Sequence, residues 1–168
     1  TEDDFWREIN RSAKIDGSVF STIPSRINIS KIDLFNANQT FEIPSQGSQF
    51  YLARELLNDF MQKKKKTSEV FDTNSLATFY AVNDLLQAHH AGQPRNLRFY
   101  FNPILARLVP IGFDSMIEIR TTDRSLAIDN NGWGIFNDFE FLGKYISELE
   151  RLTSEGYLDV FLETIQKR

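Results

Sequence analysis

The chain contains no cysteine, no long apolar run and no excess of positive charge, and each absence removes a class of protein. Without cysteine, the sequence can form neither a disulfide framework nor a thiolate metal site. No apolar run approaches the roughly 20 residues that cross a bilayer, and the acidic start TEDDFWRE lacks the basic and apolar parts of a signal peptide. The net charge of −4 gives no electrostatic footprint for nucleic acid, so we expect no nucleic-acid partner.

Short catalytic motifs are also missing. The patterns GxSxG, HExxH, GxxxxGK[ST] and GxGxxG do not occur, so the sequence offers no direct sign of serine, zinc, P-loop or dinucleotide chemistry. What the chain has is a hydrophobic content of 41%, with 15 Phe among 168 residues. This is enough to bury one core and predicts a single domain over residues 1 to 168.

The hydrophobic pattern predicts an α+β fold that is mostly helical, with a central β-hairpin and small N-terminal strands. The opening DDFWREINRSA is typical of a helix, and SVFSTI with RINISKIDLF predicts one or two strands. Residues 36 to 48, rich in Asn, Gln, Ser and Gly, predict a loop. We therefore interpret residues 1 to 47 as an N-terminal region of strands and loops.

Two amphipathic helices are predicted in the middle of the chain. The first has apolar residues at helical spacing from Gln49 to about Lys65. The second runs to the joint HHAGQPRN, residues 89 to 96, where Gly92 ends the helix and Pro94 prevents it from resuming. Three residues are candidate N-caps of this second helix: Asp72, Asn74 and Ser75. After the joint, MIEIR predicts a short strand, and two further helices close the chain.

The candidate chemistry lies around the joint. His89 and His90 precede Asn96, and LRFYFNPILARLVPIGFD predicts a β-hairpin that ends near Asp114. Because a hairpin brings its two ends to one place, we expect Asn96 and Asp114 to meet. A carboxylate and an amide oxygen are ligands that suit a hard cation bridging phosphate oxygens. Protein kinases use this order, with HRDxxxxN, a hairpin and then a magnesium-binding Asp.

The run FYAVNDLLQAHHAGQPRNLRFYFNPILARLVPIGFD resembles the signature region of the CotH-kinase family, named for a bacterial spore-coat protein. The likeness extends through LARELLNDF, SEVFDTNSLA and FNDFEFLGKYISELERL, over about residues 48 to 165. It implies an atypical protein kinase whose C-lobe is mostly helical, and it implies metal-ligand roles for Asn96 and Asp114. It further implies Mg and ATP as cofactors, whose binding needs an upstream nucleotide lobe, a nucleotide and a protein substrate as partners, and an extracytoplasmic or envelope location. By the same resemblance, the chain is the C-terminal portion of a larger CotH-like protein.

The sequence departs from the kinase pattern at the catalytic base. Laid over HRDxxxxN, Ala91 takes the Asp position and has no group that accepts a proton. Met116 stands where the family often has a second acid, and no upstream strand carries a clear ATP-binding Lys. We therefore expect that this chain alone does not transfer phosphate. A pseudokinase, and a substitute base such as Asp84, both stay open.

The residues around the joint each have a second interpretation. His89 and His90 are candidate catalytic residues, or solvent-facing side chains at a helix C-terminus. Asn96 is a candidate metal ligand, or a residue that shapes the turn. Arg95 and Arg98 are candidates for binding a cofactor phosphate, or for pairing with acids.

Two other functions stay open at this stage. One is a non-enzymatic interaction or structural module of the envelope or spore surface. The other is a metal hydrolase that uses His89 or His90 with Asp114, since these residues are suitable ligand types. The sequence shows no third ligand at motif spacing for such a hydrolase.

Overall fold

The computed structural model describes residues 32, 34–35, 37–93, 96–115, 117 and 134–167. These residues form helices and one two-stranded antiparallel sheet, which confirms the predicted α+β class. In chain order, the elements are α1 (Ala37–Glu42), α2 (Pro44–Met61), α3 (Thr67–Val70), α4 (Thr73–Leu85), β1 (Arg98–Asn102), β2 (Arg107–Ile111), α5 (Phe139–Leu152) and α6 (Tyr157–Gln166). The predicted opening helix, the N-terminal strands and most of MIEIR lie outside the described residues.

The core lies where α4 packs against α5. Tyr80 of α4 and Phe141 of α5 are fully buried, and both rings approach Phe136, which belongs to a 3-10 turn just before α5. The ring centroids of Tyr80 and Phe136 are 5.2 Å apart at 74°, an edge-to-face arrangement that aromatic pairs favour. Phe141 and Tyr145 recur one helical turn apart, so a single stripe of α5 supplies this contact.

Phe71 joins the helices to the hairpin. Its ring is 1% exposed and lies 5.1 Å from the rings of both Phe60 in α2 and Phe99 in β1. The backbone beside it makes a bridge to Leu108 of β2, where the Asp72 N–H donates to the Leu108 carbonyl at 2.9 Å. Side-chain packing and a backbone hydrogen bond therefore fix the hairpin on the helical core.

One carboxylate serves the first turns of two helices. Asp138 accepts a hydrogen bond from Ser68 N of α3 at 2.8 Å and another from Glu140 N of α5 at 3.0 Å. Burial acts to raise the pKa of this carboxyl, but bonds from the Ser68 amide and hydroxyl and from amides of the first turn of α5 outweigh it. The pKa of Asp138 is therefore held below its ordinary value, and these N–H donors stabilise the charged carboxylate.

The prediction of a loop over residues 36 to 48 is wrong, because this segment contains α1 and the first turn of α2. Pro44 stands at the start of α2, where the missing N–H costs nothing. Gly47 is buried, and a Cβ there would come within 3.3 Å of the Phe41 ring. A side chain at position 47 would therefore require the Phe41 ring to shift by a few tenths of an ångström. The helix predicted from Gln49 thus begins earlier, and within residues 1 to 47 the described residues 37–42 and 44–47 are helical where strands and loops were expected.

Both middle helices end earlier than predicted. α2 stops at Met61, before Lys65, because Lys63 adopts a left-handed conformation with φ of 58°. α4 stops at Leu85, ahead of Gly92, and its N-cap is Asp72, whose side chain accepts from Ser75 N at 2.8 Å. The existence of both helices agrees with the prediction.

α6 has no buried residue and makes few contacts with the rest of the described chain. Its exposed large apolar side chains are Leu158, Val160, Phe161, Leu162 and Ile165. Among the described helices, none combines the length and apolar character that a membrane span requires.

Candidate functional site

The loop that carries the histidines begins where α4 ends. Gln87 adopts φ of 53°, and the Ala88 N–H reaches back to the Asn83 carbonyl at 2.7 Å. This six-to-one bond is typical of a Schellman ending, with Gln87 in the place usually taken by glycine. The chain then turns at Ala91, whose N–H donates to the Ala88 carbonyl at 3.2 Å. His89 and His90 therefore lie in a turn beyond the helix, and Gly92 is not its stop.

Asn96 is the buried polar residue of this loop, with 5% of its surface exposed. Its Nδ2 donates to the His90 carbonyl at 2.9 Å, and its own N–H donates to the Gln93 carbonyl at 2.9 Å. The side chain thus closes the loop on itself, as the turn-shaping interpretation predicts. The Asn96 amide therefore contacts His90 through its nitrogen, and its oxygen is the atom with the chemistry of a metal ligand.

The hairpin carries the chain from Asn96 to Asp114. Its register pairs Arg98 with Ile111 and Asn102 with Arg107, as expected for a tight antiparallel hairpin. Asn102 Oδ1 accepts from Ile104 N at 3.0 Å, which stabilises the turn at the far end. The predicted hairpin is confirmed, and it returns the chain to the loop.

Asn96 and Asp114 meet on the same imidazole. Asp114 Oδ2 lies 3.2 Å from His90 Nδ1, and the Asp114 carbonyl oxygen lies 3.3 Å from the same atom. Asn96 Nδ2 lies 3.0 Å from His90 Nδ1 and 3.3 Å from Nε2. Asp114 adopts φ of 50°, a conformation that Asp tolerates better than most residues. The three side chains therefore form one cluster, in which Asn96 is buried, His90 is partly covered and Asp114 is open to solvent.

The remaining predicted residues lie around this cluster. The Arg98 guanidinium stacks 4.5 Å from the centre of the Phe113 ring, beside Asp114. Arg95 lies outside the described residues. Ala91, at the position of the kinase base, is fully buried, so its methyl group packs in the interior.

His89 lies beside Asp84 of α4. Its Nε2 lies 3.5 Å from Asp84 Oδ1 and forms no hydrogen bond within the described residues. Asp84 Oδ2 accepts a hydrogen bond from the Tyr145 hydroxyl, and both residues are buried. Asp84, considered above as a substitute base, is thus engaged by Tyr145, and the two histidines have separate surroundings.

We expect Tyr145→Phe to lower the free energy of unfolding by about 1–2 kcal/mol, because it removes a buried hydrogen bond to a carboxylate. The cost is limited because the His89 imidazole stays near Asp84. Urea unfolding followed by circular dichroism measures the change. Tyr100→Phe is the matched control, since Tyr100 is 56% exposed, and we expect a change within about 0.5 kcal/mol there.

The donor set of the cluster fits a divalent cation. Asp114 supplies a carboxylate and Asn96 an amide oxygen, which are ligands that Mg²⁺ accepts. Such an ion would neutralise phosphate charge and orient a bound nucleotide. Within the described part of the chain, no three His, Cys, Asp or Glu side chains are grouped closely enough to hold a metal.

With this geometry in place, the chain was compared with known proteins. No family model, curated protein or solved structure matches it. The function must therefore be inferred from the residues themselves.

Sequence reasoning missed two parts of this neighbourhood. It did not foresee that His90 contacts both Asn96 and Asp114, because the ring orientation depends on the tertiary fold. It also missed Tyr145, which appeared only as one member of an apolar stripe. A tyrosine on such a stripe carries a hydroxyl that needs a hydrogen-bond partner when it is buried. This requirement could have indicated that Tyr145 bonds to a buried polar group.

Proposed function

We propose that the chain is a CotH-like kinase domain with the organisation of a kinase C-lobe, which binds a divalent cation and nucleotide phosphate through Asn96 and Asp114. The observation that carries the proposal is the meeting of these two side chains on the His90 ring. The order of α4, loop, hairpin and acid supports it, because kinases arrange their metal ligands in this order.

We further propose that the domain binds without efficient phosphate transfer. Ala91 stands at the base position and is fully buried, so neither its side chain nor its place in the fold can take a proton from a substrate hydroxyl. The Asp84 carboxylate is engaged by Tyr145. The protein then acts as a pseudokinase, or as one part of an enzyme whose other residues lie upstream.

Titration calorimetry with Mg²⁺ and ATP tests the proposal. We expect Asp114→Asn to weaken binding at least about tenfold, as loss of a metal-site group typically does. Asp114 is exposed, so this variant should fold normally, and Asn96→Ala gives a second test from the buried side.

Asp159→Asn in α6 is the matched control, because Asp159 is an exposed Asp far along the chain from the cluster. Binding unchanged by either cluster variant, or weakened equally by the control, would refute the assignment of the site. Absence of any heat with the wild-type chain would refute the proposal for this chain.

The second candidate is a non-enzymatic interaction module. The observation that favours it is the apolar face of α6, since contiguous exposed apolar surface often marks a contact with another protein. The same titration separates the two candidates, because a pure interaction module gives no cation-dependent heat that requires Asp114.

A further inference from the structure

The backbone of β1 presents hydrogen-bonding groups on the side away from β2. Leu108 of β2 turns its carbonyl away from β1, since that oxygen accepts the Asp72 N–H at 2.9 Å. Pro110 has no N–H to give to Phe99, its partner across the hairpin. Both Leu108 and Pro110 therefore occupy non-hydrogen-bonded pairs. Their partners, Phe101 and Phe99, direct their N–H and carbonyl groups to the outer side of β1.

These outward groups of Phe99 and Phe101 have no hydrogen-bond partner within the described chain. Leu97, two residues earlier, gives its N–H to the Gln93 carbonyl at 3.2 Å, so the loop before the hairpin already pairs with the beginning of this edge. A strand edge of this kind pairs readily with another extended chain. Two donors and two acceptors on β1 are therefore available to an added strand.

The core holds this edge in an extended conformation. The Phe99 ring lies 5.1 Å from the buried Phe71 ring, and the side chains of Phe99 and Phe101 both pack against the core. Tyr100, which alternates with them, is 56% exposed on the opposite face. Because the strand is already formed, the entropic cost of ordering falls on the added peptide alone.

The charge of the hairpin favours one kind of peptide. Residues 97–112 contain two arginines, Arg98 and Arg107, and no acidic residue. The register places both arginines on the face of Tyr100, away from the core. A strand added beside β1 would present alternate side chains on this same face. Acidic side chains there complement the arginines, and apolar side chains suit the other face, beside Phe99 and Phe101.

We propose that β1 binds an extended peptide by strand addition, with acidic side chains on the face of Arg98 and apolar side chains on the face of Phe99. This inference goes beyond the cation site, because Asn96 and Asp114 take no part in it. Residues paired across two strands share a face, so the apolar residues of the peptide are the ones that bond to Phe99 and Phe101. The N–H groups of the acidic residues point to solvent.

A fluorescent peptide of alternating valine and glutamate tests the proposal with the whole chain. We expect fluorescence anisotropy to show saturable binding at peptide and protein concentrations below about 1 mM. N-methylation of the valines should weaken binding at least about tenfold, because it removes the donors that face β1. N-methylation of the glutamates is the matched control and should leave binding unchanged. Lysine in place of glutamate should also weaken binding at least about tenfold.

Amide hydrogen exchange followed by nuclear magnetic resonance locates the bound peptide. In the free chain, the amides of Phe99 and Phe101 should exchange much faster than that of Tyr100, which lies in a hydrogen-bonded pair with Val109. The valine and glutamate peptide should slow exchange at Phe99 and Phe101 at least about tenfold and leave Tyr100 nearly unchanged.

Other results would overturn the proposal. Slow exchange at Phe99 and Phe101 in the free chain at every protein concentration would assign the edge to another segment of the same chain. Protection that grows with protein concentration alone would assign it to a second copy. A peptide that does not bind at about 1 mM, or that binds equally well after methylation of its valines, would exclude strand addition at β1.

Discussion

Replacing Phe71 with alanine is expected to lower the free energy of unfolding by about 3–5 kcal/mol, the usual cost of deleting a large buried aromatic side chain. Phe71 is 1% exposed and touches rings from α2 and β1, so a cavity there opens the junction between helices and hairpin. The loss is a large fraction of the roughly 5–15 kcal/mol that stabilises a typical domain. Urea unfolding should show a lower midpoint with an unchanged slope.

Phe139→Ala provides the control for this change. Phe139 is the same residue type in the first turn of α5, but it is 87% exposed. Its removal should change the free energy of unfolding by no more than about 0.5 kcal/mol. Equal effects of the two substitutions would contradict the assignment of Phe71 to the core.

Asp138→Asn is expected to lower the free energy of unfolding by about 2–3 kcal/mol at neutral pH, because one charge-assisted hydrogen bond is lost. The Asn side chain has one acceptor oxygen, whereas Asp138 uses one oxygen for Ser68 N and the other for Glu140 N. One of these N–H groups would then face the NH₂ of the new amide. Chemical unfolding of both proteins in the same buffer measures the difference.

The effect of Asp138→Asn should also depend on pH. The pKa of Asp138 is lowered on folding, so its contribution is complete above the ordinary Asp pKa of about 3.9 and is lost as the pH falls through the lower folded-state pKa. Asn does not titrate in this range. The difference between the two proteins should therefore be constant from about pH 7 to about pH 5 and shrink below about pH 4.

Two features keep this test specific. The pKa of Glu148 is also lowered, chiefly by its hydrogen bond to Arg151, but Glu148 is present in both proteins and cancels in the difference. Asp72→Asn is the matched control, because Asp72 caps only α4 and Asn is as good a cap as Asp. A pH-independent difference for Asp138→Asn, or an equal loss for Asp72→Asn, would exclude the double cap.

The sequence correctly predicted the helices and the hairpin that are marked by short-range patterns of apolar residues. Two apolar, aromatic-rich segments around Asn102 and Pro103 predicted the hairpin, and helical spacing of apolar residues predicted α4, α5 and α6. It failed over residues 36 to 48, where Gly and Pro indicated a loop. There, Pro44 stands at the first position of a helix, where proline is favourable, and Gly47 lies inside that helix, so both residues were misinterpreted as signs of a loop.

The candidate site was predictable in outline and not in detail. The hairpin requires its two ends to meet, so the approach of Asn96 and Asp114 follows from the topology. The part played by His90 does not, because the direction of a side chain in a turn depends on neighbours that the sequence does not reveal. The same holds for Asp138, whose two hydrogen-bond donors come from helices far apart in the chain.

The bond from Ser68 to Asp138 closes a loop of 70 residues. Contacts across such long separations carry a high entropic cost and tend to form late, after local helices and the hairpin. Its loss should therefore act mainly by speeding unfolding, with little effect on the folding rate. We therefore expect this carboxylate to affect how long the native state lasts more than how quickly it is reached.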